Sequence, residues 1–339
     1  VHVDARKCII TDNQYGKAIP NDALIEARCS EHLRPLADQG QIAVVGGFIG
    51  STPEGVTTTL GRGGSDFTGA LIGGALHAEA IEIWTDVNGI MTTDPRVCPD
   101  ALRVKTISFE EAAELAYFGA KVLHPATILP AVEKNIPVLV LNSHNPGNEG
   151  TRITAMAPHC RSPFKSIAVK RRLTIVDLVA SRMLMSHGYL HAIFEVFDRH
   201  KCAVDMVSTS EVSVSLTVDS NERLPEIAAD LSKLADVKYE GQKALICMVG
   251  GNIRGQNGIA AQVFHAVRHV NVRMISQGAS EINMSFMIDE EDADEAVRSL
   301  HAAFFTDPDP EIFDVEAREK APRKIAHAAV EQLAGKSLS

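Results

Sequence analysis

The chain has 339 residues, 45% of them hydrophobic and 22% charged, with 43 acidic against 33 basic side chains and a formal charge of −10. This is the composition of an ordinary globular protein of about two to three domains; it excludes a disordered tail, a collagen-like chain and a disulfide-dense scaffold, and its acidic balance speaks against a nucleic-acid binder. Six cysteines, at 8, 29, 98, 160, 202 and 247, include no CxxC pair, and no run of 18 apolar residues is present, so the expectation is a cytoplasmic protein with reduced thiols, no metal site and no membrane partner.

In chain order, IAVVGGFIG (42–50) reads as a buried strand that ends in a glycine turn. A helix is predicted from Asp66 to Ala78, and AIEIWTD (80–86) alternates as a strand. Ser108 opens a further helix, with Glu111 completing a capping box. PVLVLNS (137–143) is another strand, closed by Pro-Gly at 146–147. Strands that alternate with helices imply a largely parallel sheet covered on both faces. MAPHCRSPFK (156–165), with two prolines, reads as a linker. An internal repeat follows: residues 188–219 line up with 258–289, Gly188 with Gly258, Phe194 with Phe264, and Ser215–Asp219 with Ser285–Asp289. After a two-residue shift, Val204 and Met206 match Val272 and Met274. Each copy reads as helix, strand, turn, strand, with a strand before and a helix after, which is the βαββαβ arrangement of a paired regulatory module.

Three segments carry residues suited to chemistry. TTTLGRGGSDFTGA (57–70) places Gly61, Gly63 and Gly64 just before a helix that Ser65 or Asp66 can cap. Backbone N–H groups and the helix dipole favour an anion there, Arg62 adds a bidentate donor, and Asp66 suits an ammonium. A plain capped turn fits the same residues. In WTDVNGIMTTDPR (84–96), Asp86 ends a strand, where α/β folds place ligand contacts, and Thr, Asp and Arg suit a nucleotide with its Mg²⁺. An ordinary surface loop is the other reading. In FGAKVLHP (118–125), Gly119 stops a helix and leaves Lys121 free to reach a phosphate or simply to face solvent.

Together and in this order, GFIGSTPEGVTTTLGRGGSDFTGA, WTDVNGIMTTDPRV and FGAKVLHPAT resemble the aspartokinases of the amino-acid kinase family, and the two repeats look like that family's tandem ACT domains. The resemblance implies an α/β fold: the C-terminal part of an amino-acid-kinase αβα sandwich over 1–155, with a mainly parallel sheet, then two ferredoxin-like ACT domains. These would span 164–239, joined by part of 306–339, and 240–305. It implies transfer of the ATP γ-phosphoryl group, with Mg²⁺, to the β-carboxylate of L-aspartate, the first step toward lysine, threonine and methionine. Arg62 would grip a substrate carboxylate and Asp66 the α-ammonium, with Ser65 between them. Thr85 and Asp86 would contact the nucleotide, Arg96 would reach its phosphates, and Lys121 and Val122 would border it.

The segments MLMSHGYL (183–190) and VDMVSTSEVSVSLTVD (204–219) resemble the first ACT domain of lysine-inhibited aspartokinases. Carried over, the effector contacts are Met183, Ser186, Tyr189, Leu190, Asp205, Ser210, Glu211 and Val212. Asp205 and Glu211 would meet the two ammonium groups of lysine. The second ACT domain would serve mainly to pair with another subunit, giving a homodimer or a higher homo-oligomer. One feature of the family is missing: its Lys-Phe-Gly-Gly-Thr-Ser string, which holds the transferring phosphate, does not occur in the first 50 residues. The expectation is an aspartokinase without the N-terminal part of its kinase domain, inactive by itself. A catalytically silent ACT chain that binds amino acids or another subunit is the alternative.

Overall fold

The computed structural model describes residues 1–119, 125–180, 187–219, 223–278 and 280–315. It opens with strand β1 (His2–Val3), helices α1 (Asp22–His32) and α2 (Arg34–Asp38), and strands β2 (Val44–Val45), β3 (Ile49–Ser51) and β4 (Thr57–Thr59). β1 runs parallel to β2, and β3 antiparallel to β4. The stretch 42–50 is therefore not one buried strand. Gly46 and Gly47 lead into Phe48, whose φ of 75° breaks the extension, and Ile42 and Val44 are 81% and 60% exposed.

Helix α3 (Gly64–Leu76) starts two residues earlier than the sequence suggests. Its N-cap is Gly63, at φ 72°, and neither Ser65 nor Asp66 caps it; both lie in its first turn. A glycine takes the cap because the left-handed conformation costs it little. The following Gly64 passes so close to Phe48 that a Cβ there would sit 2.7 Å from the ring.

Strands β5 (Ile81–Thr85) and β6 (Thr106–Ser108) and helices α4 (Phe109–Tyr117) and α5 (Pro125–Lys134) precede β7 (Val138–Asn142) and β8 (Thr151–Thr154). These strands form one sheet in the order β5-β7-β8-β6, parallel at β5/β7 and β6/β8 and antiparallel at β7/β8. The capping box of α4 is present as read: Ser108 Oγ accepts from Glu111 N at 3.1 Å and Glu111 Oε2 from Ser108 N at 2.9 Å.

The repeats build a six-stranded sheet. Its elements are β9 (Ser166–Val179), α6 (Tyr189–Arg199), β10 (Val204–Thr209), β11 (Ser213–Asp219), α7 (Leu224–Leu231), β12 (Asp236–Val249), α8 (Ile259–Ala266), β13 (Met274–Gln277), β14 (Asn283–Asp289) and α9 (Ala293–Phe304). The order is β10-β11-β9-β12-β14-β13. Both long strands serve both units. Residues 173–179 of β9 pair with β11, while Ser166–Lys170 pair with Val249–Leu245 of β12. The second unit thus takes its last strand from residues that precede the first, and the expected division between 239 and 240 falls inside β12.

The C-terminal stretch 306–315 does not join the first unit. Lys105 N donates to Ile312 O at 2.7 Å, Val104 bridges Phe313, and Arg103 is held by Asp314 at 2.8 Å. A single apolar core runs from Ile83, Val104 and Leu115 into Ile246, Phe286 and Leu300. The second unit is therefore packed within the chain against the N-terminal α/β half, beyond the expected role of pairing with another subunit. The first unit keeps a separate core around Leu178, Phe197, Leu216 and Ile227.

Candidate functional site

Two of the sequence segments come to the same end of the N-terminal α/β half. α3 is about 20 Å long and β5 about 16 Å, and the short link 77–80 turns the chain back from one to the other. The N-terminus of α3, with Arg62, Ser65 and Asp66, therefore lies at the end where β5 delivers Thr85 and Asp86. Arg62 and Ser65 are exposed, in and just after the Gly61–Gly63 turn, and Asp66 is half-buried. Burial pushes the Asp66 carboxyl up from its ordinary value, which an incoming ammonium would reverse.

At the end of β5, Thr85 Oγ1 donates to Asp86 Oδ1 at 3.1 Å. The neighbouring parallel strand β7 ends alongside: Ser143 donates to Thr85 O through its backbone N (2.8 Å) and its Oγ (3.0 Å), and Asn142 Nδ2 donates to Asn88 Oδ1 at 2.7 Å. Asn88, Asn142 and Ser143 were missed in the sequence, although the rule that singled out Asp86, a polar residue ending a parallel strand, also covers the LNS of 141–143. The chain bends at Asn88-Gly89. Gly89, at φ 109°, closes it against β8, and a Cβ there would lie 2.4 Å from Thr151 Oγ1.

The loop beyond this turn rests on the second repeat unit. Ser166 Oγ donates to Met91 O at 2.7 Å, Ile167 N to Thr92 O at 2.7 Å, and Thr92 Oγ1 bonds His301 Nε2 of α9 at 2.9 Å. Arg96 is exposed and grips Asp94 with two nitrogens, Nη2 to Oδ2 at 2.6 Å. Lys121 and Val122 lie outside the described residues.

In the first repeat unit, Tyr189 begins α6 after Gly188, and its hydroxyl donates to Leu234 O at 3.1 Å. Leu190 is exposed beside it. Ser210, Glu211 and Val212 form the exposed β10–β11 turn, where Ser210 Oγ accepts from Ser213 N at 3.1 Å. Met183 and Ser186 lie outside the described residues. Asp205 is at the opposite end of β10 from Glu211, roughly 15–20 Å away along an extended strand. The two residues therefore stand at opposite ends of one strand. Asp205 is already occupied: its side chain is 4% exposed, Lys170 Nζ lies 2.8 Å from both oxygens, and Tyr117 at the end of α4 donates to Oδ1 at 3.1 Å.

An amino-acid-kinase half that is built onto a pair of ACT units defines the class. Residues 1–142 match the model of the amino acid kinase family, and residues 246–304 that of an ACT domain. The chain is 42% identical over 310 residues to the lysine-sensitive aspartokinase 3 of Escherichia coli, covering 89% of itself and 69% of that protein. It is 42% identical over 314 residues to the chloroplastic aspartokinase 2 of Arabidopsis thaliana, covering 88% of itself and 58% of that protein. Its fold superposes on E. coli aspartokinase III in complex with aspartate and ADP with a TM-score of 0.80, at 41% identity, covering 90% of this chain and 70% of the other. Against the same enzyme with lysine and aspartate the TM-score is 0.77, at 42% identity, covering 90% and 69%. The chain belongs to the aspartokinase family, and spans between 58% and 69% of the length of these two relatives.

Proposed function

We propose that this chain carries the nucleotide half and the regulatory half of an aspartokinase that phosphorylates the β-carboxylate of L-aspartate with Mg²⁺-ATP in the cytoplasm. The observation that carries this reading is the α3 N-terminus, with Arg62 and Asp66 in its first turn and preceding glycine loop, at the same end as the Thr85–Asp86 strand terminus. Arg62 would take an aspartate carboxylate and Asp66 the α-ammonium, with Ser65 between them. Thr85, Asp86, Lys121 and Val122 would hold the nucleotide, and Arg96 would leave Asp94 for the phosphates. Fixed positive charge at the transferring phosphoryl group is the dominant catalytic need. The 339 residues hold no Lys-Phe-Gly-Gly-Thr-Ser string, so the chain by itself is proposed to be inactive.

Coupled ADP release with L-aspartate and Mg²⁺-ATP tests both statements. The chain alone should be silent. Preceded by the corresponding segment of the bacterial relative, it should turn over. Arg62→Ala in that form should lower kcat/KM for aspartate about ten- to hundred-fold, the worth of one charged hydrogen bond. Turnover by the chain alone would refute the inactivity, and an Arg62→Ala variant with unchanged aspartate kinetics would refute the site.

The first ACT unit is proposed to bind lysine. Because Asp205 and Glu211 stand at opposite ends of β10, the site is proposed to lie between two copies, Asp205 of one facing the 210–212 turn of the other, which also makes ligand binding favour a homo-oligomer. Sedimentation with and without lysine tests this: the paired form should gain in lysine, and an unchanged distribution would refute it.

A further inference from the structure

Asp205 is a carboxylate buried to 4% exposure, and its cation comes from the chain itself. Such a group needs a cation or several donors. Lys170 supplies one, with 2.8 Å contacts to both oxygens, and Tyr117 completes the set. Lys170 has a second acceptor, Asp219 Oδ1 at 3.2 Å, which is 68% exposed. Burial alone would lower the Lys170 ammonium, but Asp205 and Asp219 outweigh it, so the ammonium stays charged above its ordinary range.

We propose that Lys170 is an internal occupant of the effector site, holding on Asp205 the place that the side-chain ammonium of a bound lysine takes over. The proposal rests on the reading of the first unit as a lysine-binding unit and adds the residue that sets its affinity and its charge specificity. One ammonium replaces another, so the net charge beside the buried carboxylate does not change. The displaced Lys170 keeps a partner in Asp219, at the solvent edge. An amino acid with an apolar side chain has no side-chain ammonium to exchange, and leaves Lys170 in place.

The second repeat supports the assignment by contrast. The position equivalent to Asp205, between the matched Val272 and Met274, is Arg273, which pairs with Asp289 at 3.3 Å. That unit presents no carboxylate at the position of Asp205. The exchange also touches the kinase half, because Tyr117 is the last residue of α4 and its ring lies beneath the Lys170 ammonium, 5.6 Å from ring centre to Nζ.

Calorimetric titration of the full chain with L-lysine and with L-norleucine, which has the same carbon skeleton without the side-chain ammonium, tests the proposal. Lys170→Met should bind lysine about tenfold more tightly, since one charge-assisted hydrogen bond no longer has to be displaced. Norleucine binding should not change. Asp219→Asn, at an exposed position, should bind lysine more weakly, because Lys170 then has only Asp205 to hold. Lysine binding that is unchanged or weakened in Lys170→Met overturns the proposal, as does an equal gain for norleucine. Should Lys170→Met fail to fold, unchanged or tighter binding in Asp219→Asn overturns it. Lysine binding by neither the natural chain nor Lys170→Met refutes the lysine-binding reading itself, and the exchange with it.

Discussion

The two repeat units share a backbone and differ in what surrounds them. Gly188 and Gly258 cap their helices at φ 77° and 75°, and Asp219 and Asp289 end equivalent strands. Opposite Ser215 on β9 stands Asp177, which receives the Ser215 hydroxyl at 2.5 Å; opposite Ser285 on β12 stands Cys247, fully buried, its thiol pushed up by that burial. Asp205 in the first unit corresponds to Arg273 in the second. The second unit lies in one core with the kinase half, whereas the first has its own core and an exposed β10–β11 turn. Duplication preserved the caps and registers that any such unit needs, while side chains diverged where one copy faces a protein core and the other faces solvent.

The sharpest way to break this contrast is at the junction. Lys165 and Glu111 form an ion pair at 2.8 Å, with both side chains 3–4% exposed. Lys165→Met leaves Glu111 buried without its cation, an error worth about 3–5 kcal/mol. Chemical denaturation should show the kinase half and the second unit weakening together; a loss below about 1 kcal/mol would mean that the junction is not shared. Leu216→Ala, in the core of the first unit, should cost about 2–5 kcal/mol. Hydrogen exchange should locate that cost in residues 173–240 and spare the second unit. Equal loss of protection in both units would show that the separate core is not energetically separate.

A smaller effect is expected at Thr92. Its hydroxyl accepts from Leu102 N and bonds His301, each at 2.9 Å. Thr92→Val should cost about 1–3 kcal/mol and raise exchange in the 91–96 loop. Unchanged exchange there would deny that the second unit supports the loop.

The pH dependence is smaller still. Lys243 first, and then Arg273, hold the Asp289 carboxyl below its ordinary range. A lowered folded-state pKa gives stability that is present above the ordinary carboxylate value of about 3.9 and is lost as pH falls through the lowered one. Asp289→Asn should therefore flatten the acid limb of the stability curve below about pH 4 and weaken the chain at neutral pH. An unchanged acid limb would show that the pair contributes nothing.

Much of this was legible residue by residue. Ser108 and Glu111 were readable as a capping box because both partners lie within one turn, and Gly188 and Gly258 as equivalents because the repeat keeps its spacing. The glycine-loop residues and the strand-end Asp86 carried the candidate site for the same local reason. The start of α3 was misjudged because Ser65 and Asp66 are good caps by residue type, while the left-handed Gly63 and the approach of Gly64 to Phe48 depend on a distant chain segment. The 42–50 stretch was misjudged because apolar composition does not say which neighbours cover it. Asn142, Ser143 and His301 escaped notice, since their partners Asn88, Thr85 and Thr92 are strangers in sequence.

The sequence by itself determined the family, the repeat, the caps and the residue types at the glycine loop and strand ends, because these are set by local backbone preference and by spacing within single elements. Only the tertiary structure decided that β9 closes the second unit and that the second unit belongs to the kinase core. It also decided that Lys170 and Tyr117 already hold Asp205. Pairing between strands and the meeting of polar groups 35 and 88 residues apart depend on how the whole chain packs, and no local preference encodes them.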